Sequence, residues 1–325
     1  MHETKETDRA EAAVRPASRP RRRAVLALGA GAGAALATVP SAAAHAADPP
    51  ARGPAPGSPA LSRRLRDLER QYSARLGVFA LDTATGRTAE YRADERFPLC
   101  SVFKTLAAAT VLRDLDHDGR YLARRIHYTE KDVTDAGYAP VTGLAENIAG
   151  GLTVEELCAA AVSESDNGAA NLLLRELGGP TAITRFCRSL GDLTTRLDRY
   201  EPALNSAEPW RRTDTTRPRA IGLTYARLVL GRALQSADRR RLTGWLIANT
   251  TNTERFRAGL PEDWTLADKT GGGQAYGVAN DVGVVWPPGR PALVLAVLST
   301  KHDPAGPTDN PLVAKAAALT AAALA

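Results

Sequence analysis

The order of hydrophobic periods along the chain predicts an α/β fold, with one sheet assembled from both chain ends around an inserted all-helical lobe. Segments that read as strands occur near each end and a block of helical segments fills the centre. The length of 325 residues, 44% hydrophobic and 24% charged, allows a large core without covalent staples. The lobes are expected at about 60–95 plus 221–325 (α/β) and about 96–220 (helical).

Taken in order, Leu61, Leu65, Leu68 and Tyr72 make one apolar face of a helix expected over Ala60 to Arg75. Leu76 to Asp82 and Thr88 to Tyr91 read as strands joined by a turn at Thr85-Gly86. Helices are expected near Ser101 to Leu112, Thr153 to Ser163, Gly168 to Leu177, Thr181 to Ser189, Thr224 to Leu234 and Ala237 to Ala248. Strands return at Trp264 to Lys269, Asn280 to Trp286 and Ala292 to Ser299, before a closing Ala-rich helix from Pro311. Between Leu193 and Pro218 neither period holds, and so long a loop in a compact domain is commonly functional. A crevice between the lobes is the natural place for a site.

The first 46 residues have a different logic. Arg21-Arg22-Arg23 precedes the small-residue apolar run Ala24 to Val39 and then Ala44-His45-Ala46, the order of a signal peptide with an A-x-A cleavage site. The paired arginines resemble a twin-arginine export signal, so residues 1–46 are expected to be an export leader that engages the export machinery. Residues 47–59, rich in Pro, Gly and Ala, are expected to be a flexible mature N-terminus, and the mature protein to be secreted.

Composition excludes several classes. The net charge is +6, of which the leader carries +3, and no aromatic cluster sits among basic residues, so a nucleic-acid partner is not expected. Three cysteines cannot form the framework of a secreted fold. Beyond the leader only His117, His127 and His302 remain, without ligand spacing, so no metal is expected, and nothing suggests a cofactor.

Three short motifs carry chemistry. Ser101-Val102-Phe103-Lys104 puts a hydroxyl and an amine on one face at the start of a helix, where backbone N–H groups can face an oxyanion. Ser165-Asp166-Asn167 falls in a helix-to-helix connection, and Lys269-Thr270-Gly271 ends a strand. Each triplet alone is an ordinary cap or strand end, but together they offer a nucleophile, a proton path, and amide and hydroxyl groups for a substrate's amide and carboxylate.

In that order and setting the chain resembles a class A serine β-lactamase, a member of the penicillin-recognising serine hydrolases. The likeness spans the mature chain and includes Arg199-Tyr200-Glu201-Pro202-Ala203-Leu204-Asn205 in the long loop and Asp268 before the last triplet. It implies a five-stranded antiparallel sheet flanked by helices, and opening of the β-lactam ring of penicillins through a serine acyl-enzyme, hence antibiotic resistance. Ser101 then corresponds to the nucleophile, touched by Lys104. Ser165 corresponds to the residue protonating the departing nitrogen, with Lys269 nearby. Asn167, Thr270 and Gly271 line the substrate, and the backbone N–H groups of Ser101 and Gly272 form the oxyanion hole. Glu201 corresponds to the base of deacylation with Asn205 sharing its water, and Arg199 with Asp214 to the pair closing the loop. Whether Glu201 or Lys104 activates the serine is left open.

Several further positions bear on the substrate range and the disulfide pattern. Gly272 brings no side-chain hydroxyl, and Ala279 stands where some relatives place an arginine. Arg255 is expected to supply that guanidinium from another element, and Tyr138 to be the aromatic at the cleft mouth. Cys158 matches half of a disulfide found in some relatives, but its partner position holds Ala108, so no bridge is expected. The alternatives are a DD-peptidase or transpeptidase, which would usually lack the Glu201/Asn205 arrangement, and a non-hydrolysing sensor, which would need a membrane anchor. A monomer is the simplest expectation for a diffusible hydrolase.

Overall fold

The computed structural model describes residues 59–273 and 275–324. The expected leader and residues 47–58 of the expected mature N-terminus lie outside the described residues. Helix α1 (Pro59–Tyr72) buries Leu61, Leu65 and Leu68, as the spacing predicts, and ends before the strand β1 (Arg75–Asp82), which takes up the predicted helix's last residue. A turn closed by Asp82, whose Oδ1 accepts from Ala84 N at 2.9 Å, leads into β2 (Thr88–Tyr91).

The chain then leaves the sheet through β3 (Phe97–Pro98) and a 3₁₀ turn at Cys100–Val102 that carries Ser101. Helix α2 (Phe103–Thr110) follows, every residue of it buried, its polar Lys104, Thr105 and Thr110 included. The single predicted helix over Ser101 to Leu112 is thus three pieces, its last turn a π-turn at Val111–Leu115. Next come β4 (Arg125–Ile126), α3 (Glu130–Ala136), α4 (Ala145–Gly150) and β5 (Leu152–Thr153). The short α3 and α4 were not legible as helices because so few turns give no apolar period; α3 starts instead on a capping box between Thr129 and Asp132. Helices α5 (Val154–Ser163), α6 (Asn167–Glu176) and α7 (Thr181–Ser189) lie where predicted.

After the long loop and β6 (Thr215–Thr216), helix α8 (Pro218–Val229) begins earlier than predicted, because Pro218 occupies the first helical position after extended Arg217. Helices α9 (Ser236–Ile247) and α10 (Phe256–Gly259) precede β7 (Thr265–Gly272), β8 (Ala279–Trp286) and β9 (Leu293–Thr300), and α11 (Asn310–Leu324) closes the chain.

The main sheet has the order β2-β1-β9-β8-β7, every pair antiparallel, so both chain ends build it and β7 is an edge strand. One face packs on α1, α10 and α11. The other shares a continuous apolar core with α2, α5, α6, α7, α8 and α9. Contact is close: a Cβ at Gly222 of α8 would fall 2.7 Å from Phe79 Cδ1 on β1. Cys100, Cys158 and Cys187 are buried free thiols. Among the described residues no helix is long and apolar enough to cross a membrane.

Candidate active site

The three motifs converge beside the edge of β7. Ser101 lies in the 3₁₀ turn just before the buried α2, where Cys100 has φ +45° and Leu99 N donates to Asp214 O at 2.8 Å. From beneath, fully buried Tyr225 of α8 donates to Val102 O at 3.0 Å, which holds the turn against the helical core. The end of β7 closes on the same turn, since a Cβ at Gly271 would meet Val102 Cγ2 at 3.1 Å and Leu99 O at 3.2 Å. That approach explains the glycine.

Lys104 is fully buried one helical turn on from Ser101. Its Nζ donates to Ser165 O at 2.7 Å and Asn167 Oδ1 at 2.6 Å, lies 3.4 Å from Ser165 Oγ, and pairs with Glu201 Oε1 at 3.2 Å. These hydrogen bonds hold the ammonium among the groups that surround the nucleophile. Burial pulls the Lys104 ammonium below its ordinary range, against the attraction of Glu201. Lys269 is likewise fully buried, donates to Thr270 O at 3.2 Å, and is lowered to about 7 by burial first and the Lys104 charge second.

Ser165 sits in the left-handed region at φ +59°, just ahead of α6. The next residue, Asp166, caps α6 through Ala169 N and also accepts from Val141 N at 2.9 Å and Thr142 N at 2.8 Å, tying the α3–α4 connection to the site. That connection carries Tyr138, 59% exposed, whose carbonyl accepts from Asn167 N at 2.8 Å. The Asn167 side chain is largely committed within the protein: Nδ2 donates to Ala136 O at 3.0 Å while Oδ1 takes Lys104. Only its second amide proton is left for a substrate.

Glu201 stands on the long loop with its backbone held at both ends by Asn171, which accepts from Glu201 N at 2.9 Å and donates to Glu201 O at 2.9 Å. Asn171 was missed in the sequence, although its i+4 position from Asn167 on α6 was a signal that could have found it. Asn205 Nδ2 donates to Glu201 Oε2 at 2.5 Å. Asn205 Oδ1 is a buried acceptor without a hydrogen-bond donor, and Glu201 Oε1 has the Lys104 ammonium at 3.2 Å as its partner. At the loop's neck Arg199 Nε donates to Asp214 Oδ2 at 2.6 Å, and Asp214 Oδ1 accepts from the backbone N–H of Asp198 and Arg199.

On the other wall, Thr270 shares a hydrogen bond with Thr251, a second residue missed in the sequence. Arg255 is partly buried; its Nη1 donates to Gly271 O at 2.8 Å and Asn280 O at 2.7 Å, and its Nε to Asn310 Oδ1 at 2.8 Å. A Cβ at Gly272 would lie 3.8 Å from Arg255 Nη2 with no closer neighbour, so the guanidinium borders the space that this glycine leaves open. Behind the strand, buried Asp268 accepts from Asn252 at 2.7 Å and Asn249 at 3.1 Å, and buried Asp281 accepts from Phe256 N at 3.0 Å. The sequence motifs gave no sign of this brace. Together these groups offer a hydroxyl, two buried amines, a buried carboxylate and a cationic wall, the components of acyl transfer to a serine followed by hydrolysis.

Comparison with known proteins gives the same picture. The profile of the Beta-lactamase enzyme family matches residues 60–324. A β-lactamase of Kitasatospora aureofaciens is 70% identical over 305 residues, covering 94% of this chain and 97% of that one. The solved β-lactamase of Streptomyces albus G is 63% identical, covers 81% of this chain and 98% of its own, and superposes with a TM-score of 0.80. A solved variant of the last common ancestor of Gram-negative bacterial class A β-lactamases is 49% identical, covers 82% and 98%, and gives a TM-score of 0.76.

Proposed function

The chain belongs to the class A serine β-lactamases and hydrolyses β-lactams, and from that premise we propose how its residues divide the reaction. Ser101 Oγ attacks the lactam carbonyl and forms the acyl-enzyme; the C–N bond breaks and Ser165 passes a proton to the departing nitrogen. Backbone N–H groups of Ser101 and Gly272 hold the oxyanion, a role that suits Gly272 at the end of an edge strand. A proton shared across the 3.2 Å contact between Lys104 and Glu201 makes either group competent to take the serine's proton. Lys269, Thr270 and Arg255 receive the substrate carboxylate, Asn167 and the Gly271 strand its side chain, and Tyr138 packs on the drug at the mouth.

Deacylation falls to Glu201 and Asn205. The observation that carries this reading is the buried Asn205 Oδ1, an acceptor without a donor, beside the Glu201 carboxylate, whose Oε1 meets the Lys104 ammonium at 3.2 Å; one water donating to both side chains would satisfy them. The same pair argues against a transpeptidase, whose acyl-enzyme must outlive water. The test is benzylpenicillin turnover together with intact mass of the parent and Glu201→Ala. The parent turns over, and the variant accumulates a stable adduct on Ser101; a parent that stalls as the adduct overturns the assignment.

Export completes the proposal. Support for secretion through a twin-arginine signal over residues 1–46 is the sequence order of charged, apolar and A-x-A segments, and a monomer is the simplest state for a diffusible hydrolase. The division into an α/β lobe (60–95, 221–325) and a helical lobe (96–220) is supported by the origin of all five main-sheet strands outside the central segment. Mass of the extracellular protein, on a sizing column and after denaturation, tests cleavage and oligomeric state.

A further inference from the structure

We infer that Trp210 is a positioning residue for deacylation: its ring, set edge-on against Tyr276, fastens the far end of the Glu201 loop to the turn that follows β7. The inference rests on the hydrolytic reading above. The loop is held at its neck by Arg199 and Asp214 and along its first limb by Asn171. Its far end has a separate anchorage. Ala207 packs with Cys100, Tyr276 and Val278 in a small apolar cluster apart from the two large cores. Beyond it Trp210 is 74% exposed, yet its ring centroid lies 6.1 Å from that of Tyr276 with the planes at 90°. That edge-to-face geometry is the attractive one for an aromatic pair.

The two rings are unequally held. Tyr276 is 8% exposed, its N–H donates to Pro304 O at 3.0 Å, and its carbonyl accepts from Lys301 N at 2.6 Å, so it is a fixed wall. Trp210 is the side that can leave. What it carries moves as a unit: Ser206 Oγ donates to Glu208 at 2.5 Å and accepts from Arg199 Nη1 at 3.0 Å, while Arg211 pairs with Glu208 at 2.9 Å. Ser206 follows Asn205 directly, and Asn205 holds Glu201. Release of Trp210 therefore loosens the Asn205–Glu201 hydrogen bond while Ser101, Lys104 and Ser165, on other elements, stay in place.

The experiment separates the two half-reactions. Acylation and deacylation rates with benzylpenicillin are measured by quenched-flow intact mass for the full protein, Trp210→Ala and Trp210→Phe, with a thermal midpoint for each. Expected is a deacylation rate about 2- to 10-fold slower in Trp210→Ala, the range an aromatic pair's interaction allows. Its acyl-enzyme accumulates, acylation and midpoint stay unchanged, and Trp210→Phe restores most of the rate. Deacylation at the parent's rate in Trp210→Ala overturns the inference, as does an equal fall in both half-reactions accompanied by a lower midpoint. Failure of the hydrolytic reading shows differently, as a stalled adduct in the parent itself.

Discussion

Lys104 Nζ and Glu201 Oε1 face each other at 3.2 Å with neither side chain exposed. Buried in this way, the pair is held by geometry and by the other acceptors of the ammonium, and losing one partner strands the other. Lys104→Met is therefore expected to destabilise the fold by about 3–5 kcal/mol, the usual cost of breaking a buried pair. Adding Glu201→Gln to it recovers a substantial part. Denaturant melts of the two single variants and the double variant check this; additive losses would show that the pair is not coupled.

The pH profile should carry the mark of Lys269. Its folded value near 7 means that the ammonium is charged below that pH and neutral above it. If its charge draws the substrate carboxylate, KM for penicillins rises as pH climbs through about 7, and Lys269→Arg, which keeps its charge, flattens that limb. Initial rates from pH 5.5 to 9 decide it, a profile identical in both proteins assigning the limb to another group.

Arg255 should matter to binding more than to chemistry. Loss of a charge-assisted hydrogen bond of about 1.5–3 kcal/mol corresponds to roughly 10- to 150-fold in kcat/KM, expressed mainly through KM. Steady-state kinetics of Arg255→Ala on benzylpenicillin measure it; an unchanged KM removes Arg255 from the site.

Two adjacent glycines should differ in how much they tolerate a methyl. Gly271→Ala drives a methyl to within 3.1 Å of Val102 and 3.2 Å of Leu99 O, on the turn that holds Ser101, and kcat/KM should fall at least about tenfold. Gly272→Ala meets nothing nearer than Arg255 Nη2 at 3.8 Å and should keep activity within about threefold, with an unchanged melting midpoint. The paired kinetics and melts give the comparison, and equal losses would disprove the difference in packing.

How much could be read from the residues follows from how each signal is encoded. The long helices and the main-sheet strands announced themselves through a repeating apolar face, as in α1 with Leu61, Leu65 and Leu68, or through an unbroken apolar run, as in β9. Helices α3 and α4 and the two-residue strand pairs are too short to repeat anything, and the start of α8 is a matter of Pro218 rather than of period. At the site, Ser101, Lys104, Ser165, Glu201 and Lys269 stood out as motif residues. Asn171, Tyr225, Thr251 and the Trp210–Tyr276 contact did not, since each acts through a partner distant in the chain.

The sequence by itself therefore determined the element types, the two ends that share one sheet, and the set of reactive side chains, all of which are local patterns or short motifs. Tertiary structure alone decided which of those side chains meet. It gave the Lys104 ammonium Ser165, Asn167 and Glu201 as partners, and it committed most of Asn167 to the protein itself. The reason is physical: a buried ammonium takes whichever acceptors the packing of α2, α6 and the long loop brings within 3.5 Å, and no spacing along the chain specifies that distance.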